Sequence, residues 1–223
     1  MYEKGVINER KFAVHFDEVG GSTVEFGGYS PDKMIPNMPM TFLELQYSPF
    51  WQISINAIRV GEKPTFANGA KSAFYFGEKK AILDTFTPYI RLPRTVGQTL
   101  FSTMFHDQEE VRLENGLLMG SCDTSKYSSI NFFVNDRYYV KLQPESFVID
   151  IGVKGRCFVP IDFNSADEFV LGEPFFRNFY TVLDDSKGLI GLAPSINFLK
   201  AGIIEGMVPN DELPMQEHFN PDD

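Results

Sequence analysis

Ala81-Ile82-Leu83-Asp84-Thr85-Phe86-Thr87-Pro88-Tyr89-Ile90-Arg91-Leu92-Pro93 carries the chemistry of this chain. An apolar strand, Ala81-Ile82-Leu83, delivers the carboxylate of Asp84 and two hydroxyl residues, Thr85 and Thr87, into a tight loop. Apolar walls disfavour a carboxylate's charge, whereas hydroxyl and backbone N–H donors favour it. That opposition is how active sites tune carboxylates, and it singles out Asp84.

Outward from this stretch, short runs alternate apolar and polar residues and are punctuated by Gly, Pro and Asn, the pattern of a β-rich domain. Phe12, Val14 and Phe16 share one side of a run, Val24 and Phe26 precede the Gly27-Gly28 turn, and Trp51, Ile53 and Ile55 share a face. Further strands are predicted at Lys80–Asp84, Ile130–Val134, Tyr138–Leu142, Phe147–Ile151, Arg156–Ile161, Phe169–Leu171, Tyr180–Leu183 and Gly188–Leu192. So many strands argue against an α/β alternation. After Pro93, Val96, Leu100, Phe101, Met104 and Phe105 fall at helical spacing, and a shorter helix is predicted over Pro174–Phe179. The stretch Glu205–Asp223 holds Pro209, Pro214 and Pro221 among acidic residues and reads as a tail or docking arm.

Composition narrows the function. The 223 residues carry a formal net charge of −10, which disfavours nucleic acid, whose phosphates call for Lys and Arg. An anionic membrane surface is disfavoured for the same reason. No apolar run approaches the roughly 18 residues that span a bilayer, and Met1-Tyr2-Glu3-Lys4-Gly5 has no signal-peptide core. His15, His106 and His218 lack ligand spacing, so no metal site and no cofactor is expected, and His106 reads as a complement to its helix's dipole. Cys122 and Cys157 are either two buried thiols or one bridge, and their position beside two predicted strands favours the bridge.

Several segments together resemble the C-terminal lobe of pepsin-like aspartic proteases. The Ala81–Pro93 stretch resembles that family's second catalytic segment, apolar residues followed by Asp-Thr-Gly-Ser/Thr. Phe169-Val170-Leu171-Gly172-Glu173-Pro174-Phe175-Phe176-Arg177-Asn178-Phe179-Tyr180 resembles its apolar-Leu-Gly-Asp-x-Phe segment, and the likeness continues through Ile190-Gly191-Leu192-Ala193. Gly5-Val6-Ile7, Phe12-Ala13-Val14, Phe26-Gly27-Gly28 and Trp51-Gln52-Ile53 resemble the lobe's crossover and early strands. The resemblance covers roughly residues 1–195. It implies an all-β fold with few short helices: a crossover segment at 1–10, a single lobe at 11–195 and an extension or docking tail at 196–223. It also implies a Cys122–Cys157 disulfide, and an Asp84 loop supported by Val170, Leu171 and Gly172.

In such a family each lobe supplies one Asp, and the two carboxylates share a proton while activating water. Here Asp84 is the single catalytic-type carboxylate, with Thr85 and Thr87 beside it, and no second apolar-Asp-Thr-Gly segment exists. Asp123-Thr124-Ser125 follows Gly120-Ser121-Cys122 rather than an apolar strand and reads as a turn. Phe86 replaces the motif's glycine, so its ring must occupy space near the partner loop or substrate, or else the loop must move under strain. The leading expectation is an inactive lobe serving as a scaffold or binding module, with a protein partner over the lobe interface. The alternatives are half of an active endopeptidase completed by a separate N-terminal lobe, with a peptide substrate, or a symmetric dimer pairing two copies of Asp84. The chain reads as a fragment, a processed chain or a split gene product. Family and disulfide together imply the secretory pathway, a vacuole or lysosome, or the extracellular space.

Overall fold

The computed structural model describes residues 1–17, 20–46, 48–62, 72–104, 111–165, 167–198 and 201–205. In chain order the strands are β1 (Lys11–His15), β2 (Thr23–Phe26), β3 (Thr41–Glu44), β4 (Gln52–Val60), β5 (Ala73–Leu83) and β6 (Ile90–Pro93), followed by helix α1 (Arg94–Met104). Next come β7 (Arg112–Glu114), β8 (Leu117–Gly120), β9 (Ile130–Val134), β10 (Tyr138–Leu142), the single turn α2 (Pro144–Phe147), β11 (Ile149–Val153) and β12 (Arg156–Phe158). The chain continues through β13 (Ile161–Ser165), β14 (Phe169–Leu171), α3 (Glu173–Asn178), β15 (Phe179–Asp184), β16 (Leu189–Pro194) and β17 (Gly202–Glu205).

These strands form three sheets: β2-β1-β15-β16-β3, β13-β6-β14-β5-β4-β9-β10-β17 and β11-β12-β8-β7. Alternation places Phe12, Val14, Ile190 and Leu192 of the first sheet, and Ile53, Ile55 and Leu83 of the second, in one continuous core. Phe132, Phe147, Phe175, Phe176 and Phe179 are fully buried within it. The opposite face of the first sheet holds a smaller cluster, Ala13, Tyr180 and Val182, covered by Met34 and Met40.

The β-rich fold with few short helices matches the expectation, and the details correct several bounds. Pro93 ends β6, so α1 starts at Arg94, and Phe105 and His106 lie outside the described residues. The predicted run Phe147–Ile151 starts as a strand only at Ile149, because Pro144 sets the φ of a helical turn that takes in Phe147. The run Arg156–Ile161 is two strands in different sheets, divided at Val159-Pro160, where proline can donate no ladder bond. Of the stretch at 196–223, Gly202–Glu205 pairs with β10 along the edge of the large sheet. Residues 206–223, His218 among them, lie outside the described residues.

Cys122, just after β8, and Cys157 in β12 form the disulfide, with Cα atoms 5.0 Å apart. Closing a loop of 35 residues stabilises the fold by about 3–4 kcal/mol in the chain-entropy account. The Asp123-Thr124-Ser125 stretch beside it is a 3-10 turn, with Asp123 capping the Ser125 N–H.

His15 closes the small cluster and is 3% exposed. Its Nε2 lies 3.3 Å from the Asn197 amide nitrogen, and its Nδ1 is buried without a partner. Burial pushes its pKa below the ordinary 6.5, and Lys33 pushes the same way. The unfolded chain therefore binds a proton near pH 6.5 that the folded chain refuses. The stability this contributes is complete above that pH and diminishes as pH falls below it. Denaturant titrations from pH 7.5 to 5 should show wild-type stability falling more than that of His15→Gln. Parallel pH profiles would contradict this linkage.

Candidate active-site loop

Asp84 is positioned by a threaded strand. β14 runs between β5 and β6, parallel to β5 with Leu171 opposite Leu83, and antiparallel to β6 with Leu171 opposite Ile90. The loop joining β5 to β6 must therefore pass around the end of β14. Three backbone bonds lock it there: Asp84 N–H to Leu171 O at 3.2 Å, Gly172 N–H to Tyr89 O at 3.1 Å and Glu173 N–H to Thr87 O at 2.8 Å. Leu83 N–H also donates to Trp51 O at 2.8 Å, which ties the strand's end to β4.

Gly172 is required by space rather than by backbone angle. Its φ is −94°, within reach of any residue, yet a Cβ would sit 2.1 Å from Thr87 O and 2.3 Å from Tyr89 O. Val170 and Leu171 are buried, 5% and 0% exposed, so the thread is wedged from both sides.

The Asp84 carboxylate is half-buried, and each oxygen accepts one local bond. Phe86 N–H donates to Oδ1 at 2.9 Å and the Thr87 hydroxyl to Oδ2 at 2.5 Å. Thr85 is exposed, and its hydroxyl has no partner among the described residues. No hydrogen bond joins Asp84 to another carboxyl group among the described residues. One carboxylate can orient or deprotonate a water molecule, but it cannot also supply the acid of a two-carboxylate mechanism.

At Phe86 the loop is free of left-handed strain. The residue is absent from those with positive φ, so the loop accepts a side chain without left-handed backbone. The ring turns outward instead and is 95% exposed. Nearby, Phe12 makes an edge contact with Trp51 at 5.9 Å and a tilted one with Phe26 at 6.2 Å, and Phe26 and Phe50 are each 56% exposed. Trp51 thus joins an aromatic strip to the strand that leads into Asp84. The sequence places Trp51 on one face with Ile53 and Ile55 but carries no sign of this strip, which depends on the pairing of β1 with β2. Among the described residues no group of three His, Cys, Asp or Glu is placed to hold a metal ion.

A β-rich lobe that presents one carboxylate on a loop pinned around a threaded strand is the class of fold implied by the sequence motifs. The profile of eukaryotic aspartyl proteases matches residues 1–195, and the chain belongs to that family. It is 29% identical over 201 residues to pregnancy-associated glycoprotein 2 of Bos taurus, covering 88% of this chain and 49% of the relative. It is 26% identical over 206 residues to gastricsin of Mus musculus, with 88% and 49% covered, and 25% identical over 200 residues to pepsin A of Rhinolophus ferrumequinum, with 87% and 48% covered. The chain spans about half the length of the curated relatives it matches.

Gly172→Ala should destabilise the lobe by about 3 kcal/mol, the upper range for overpacking, since both obstructing atoms are backbone. Phe86→Ala, at an exposed position, should change stability by no more than about 0.5 kcal/mol. Urea midpoints compare the two, and equal effects would refute the threading constraint.

Proposed function

We propose that this chain is a pepsin-like lobe that acts as a noncatalytic scaffold or binding module and docks a protein partner over the face bearing Asp84. The observation that carries this reading is Phe86, 95% exposed two residues beyond a lone carboxylate. A phenylalanine held out in water by a loop tied to its own backbone is preorganised for docking, and burying it would contribute about 1.5–3 kcal/mol. The aromatic strip through Trp51 and Phe26 extends the same apolar character. In this reading residues 1–10 are the crossover segment, 11–195 the lobe and 196–223 an extension, and the partner is a complementary lobe or another subunit.

A second reading is favoured by the geometry of Asp84. Both oxygens are held by donors while Thr85 faces outward, so an Asp on a separate N-terminal lobe would complete a two-carboxylate endopeptidase. Val170, Leu171 and Gly172 then support the catalytic loop, and Thr85 and Thr87 flank the carboxylate. The disulfide suits an oxidising compartment, and a match named vacuolar protease A, from Arthroderma otae, is compatible with a secretory or vacuolar setting.

Hydrolysis of a fluorogenic peptide library between pH 3 and 7 separates the readings. The chain mixed with a separately produced N-terminal lobe of a pepsin-like relative should show no cleavage above background, with Asp84→Asn indistinguishable from wild type. Cleavage that Asp84→Asn abolishes would overturn the noncatalytic reading and establish the enzymatic one.

A further inference from the structure

Arg59 lies in β4 with its side chain on the face opposite the core, since its neighbours Ile58 and Val60 point into the core. It is 9% exposed, a degree of burial that charged side chains rarely reach unpaired. Its guanidinium carbon lies 5.4 Å from the centre of the Phe133 ring and 4.9 Å from that of Tyr139. These two rings come from β9 and β10 and are 5.5 Å apart. Arg59 Nε is enclosed without a hydrogen-bond partner. The two Nη groups also have none among the described residues, but they are not enclosed, so the open edge of the fork carries the remaining exposure.

The lack of a counter-ion among the described residues is out of keeping with a chain in which 30 acidic residues outnumber 20 basic ones. Register places Arg59 opposite Asn131, and Asn131 opposite Lys141, so a second cation sits two strands away on the same face. Lys141 is already paired with Glu62. Stacking on two aromatic faces favours the guanidinium's charge without supplying acceptors for its N–H groups.

We propose that Arg59, walled by Phe133 and Tyr139, is the anchor of a carboxylate-binding site on the outer face of the large sheet. A carboxylate is planar and offers two oxygens that match the guanidinium fork. One guanidinium balances one negative charge, and a dianionic phosphate would meet stronger repulsion from a chain of net charge −10. The ligand is therefore a carboxylate borne by a peptide or by a small organic acid. The site is separate from the Asp84 loop, and its test is independent of proteolysis.

The experiment follows the Arg59 Nε–H resonance of the full chain by NMR, assigned by its loss in Arg59→Met. Sodium acetate, the blocked peptide acetyl-Ala-Glu-Ala-amide and sodium phosphate are each titrated against sodium chloride at matched ionic strength. A saturable shift with acetate or peptide, absent with chloride, is the expected result. Saturation by the peptide at a concentration at least tenfold lower identifies a peptide ligand, and comparable saturation identifies a free acid. A shift reproduced by chloride, no saturable shift, or saturation by inorganic phosphate ahead of both carboxylates overturns the proposal. The wild-type titration decides the matter even if Arg59→Met fails to fold, because the Arg59→Lys spectrum provides the same assignment.

Discussion

The close approach of Gly172 to the carbonyls of Thr87 and Tyr89 is the contact on which the rest of the lobe depends. β14 can lie between β5 and β6 only if the backbone leaving it fits beneath the loop that joins them, and any Cβ at residue 172 would obstruct that passage. Once the thread is in place, its parallel register with β5 brings Leu171 O against Asp84 N–H. The chain then turns into α3, whose Phe175 and Phe176 fill the core between the first and second sheets. One steric constraint thus sets the sheet order, the position of the carboxylate and the packing of the central aromatics. It joins segments about 85 residues apart in sequence, a non-local contact of the kind that makes β-rich topologies slow to fold.

The same loop shows how a residue of the family's motif can change without disturbing the fold. In the family pattern glycine follows Asp-Thr, and its obvious virtue is conformational freedom. Here the backbone keeps an ordinary φ, the residue 86 N–H still reaches Asp84, and the whole cost of the side chain moves to the surface. A glycine-to-phenylalanine change therefore leaves the carboxylate's local bonds in place and alters what can approach it. The physical question at this site is what covers the Phe86 ring, and no backbone strain enters into it.

The fold was legible where apolar alternation was strong and lay within one segment. Ile130–Val134, Tyr138–Leu142 and Phe169–Leu171 are strands over the bounds their patterns predict. β7 and β8 were not legible because Arg112–Glu114 is three residues long with charges at both ends and Leu117–Gly120 is a four-residue apolar run without alternation. Their Asn115-Gly116 turn, both residues at positive φ, was the available hairpin signal. β3 and β17 are short edge strands whose partners lie far away in sequence, so local pattern could not reveal them. For the site, Asp84, its hydroxyl neighbours and the supporting Val170-Leu171-Gly172 were readable as segments. The outward turn of Phe86 and the aromatic walls of Arg59 were not, because both follow from three-dimensional placement rather than from spacing.

Two buried polar networks are closed within the chain, and they contrast with Arg59, whose Nε has no partner among the described residues. Asp184, 1% exposed, receives the Ser186 hydroxyl at 2.5 Å and the Lys187 N–H at 3.1 Å, with Lys11 Nζ 3.1 Å away. Burial opposes its charge, yet these donors more than offset the penalty and hold its pKa below the ordinary carboxyl value. Tyr180 is pushed the other way, chiefly by burial, and stays protonated to donate to Glu25 at 2.7 Å while accepting the Ser30 N–H at 2.9 Å. Both networks tie distant segments to the first sheet, β1 to β15 in one case and the Ser30 strap to β15 in the other. A structural role explains them fully, because every strong donor or acceptor within them is used. Arg59 lacks that closure: it links β4 to β9 and β10 through its apolar stem and ring contacts, while its hydrogen-bonding edge does no structural work. Packing alone would be served as well by methionine, so the charge at that position calls for an acceptor from outside the described chain.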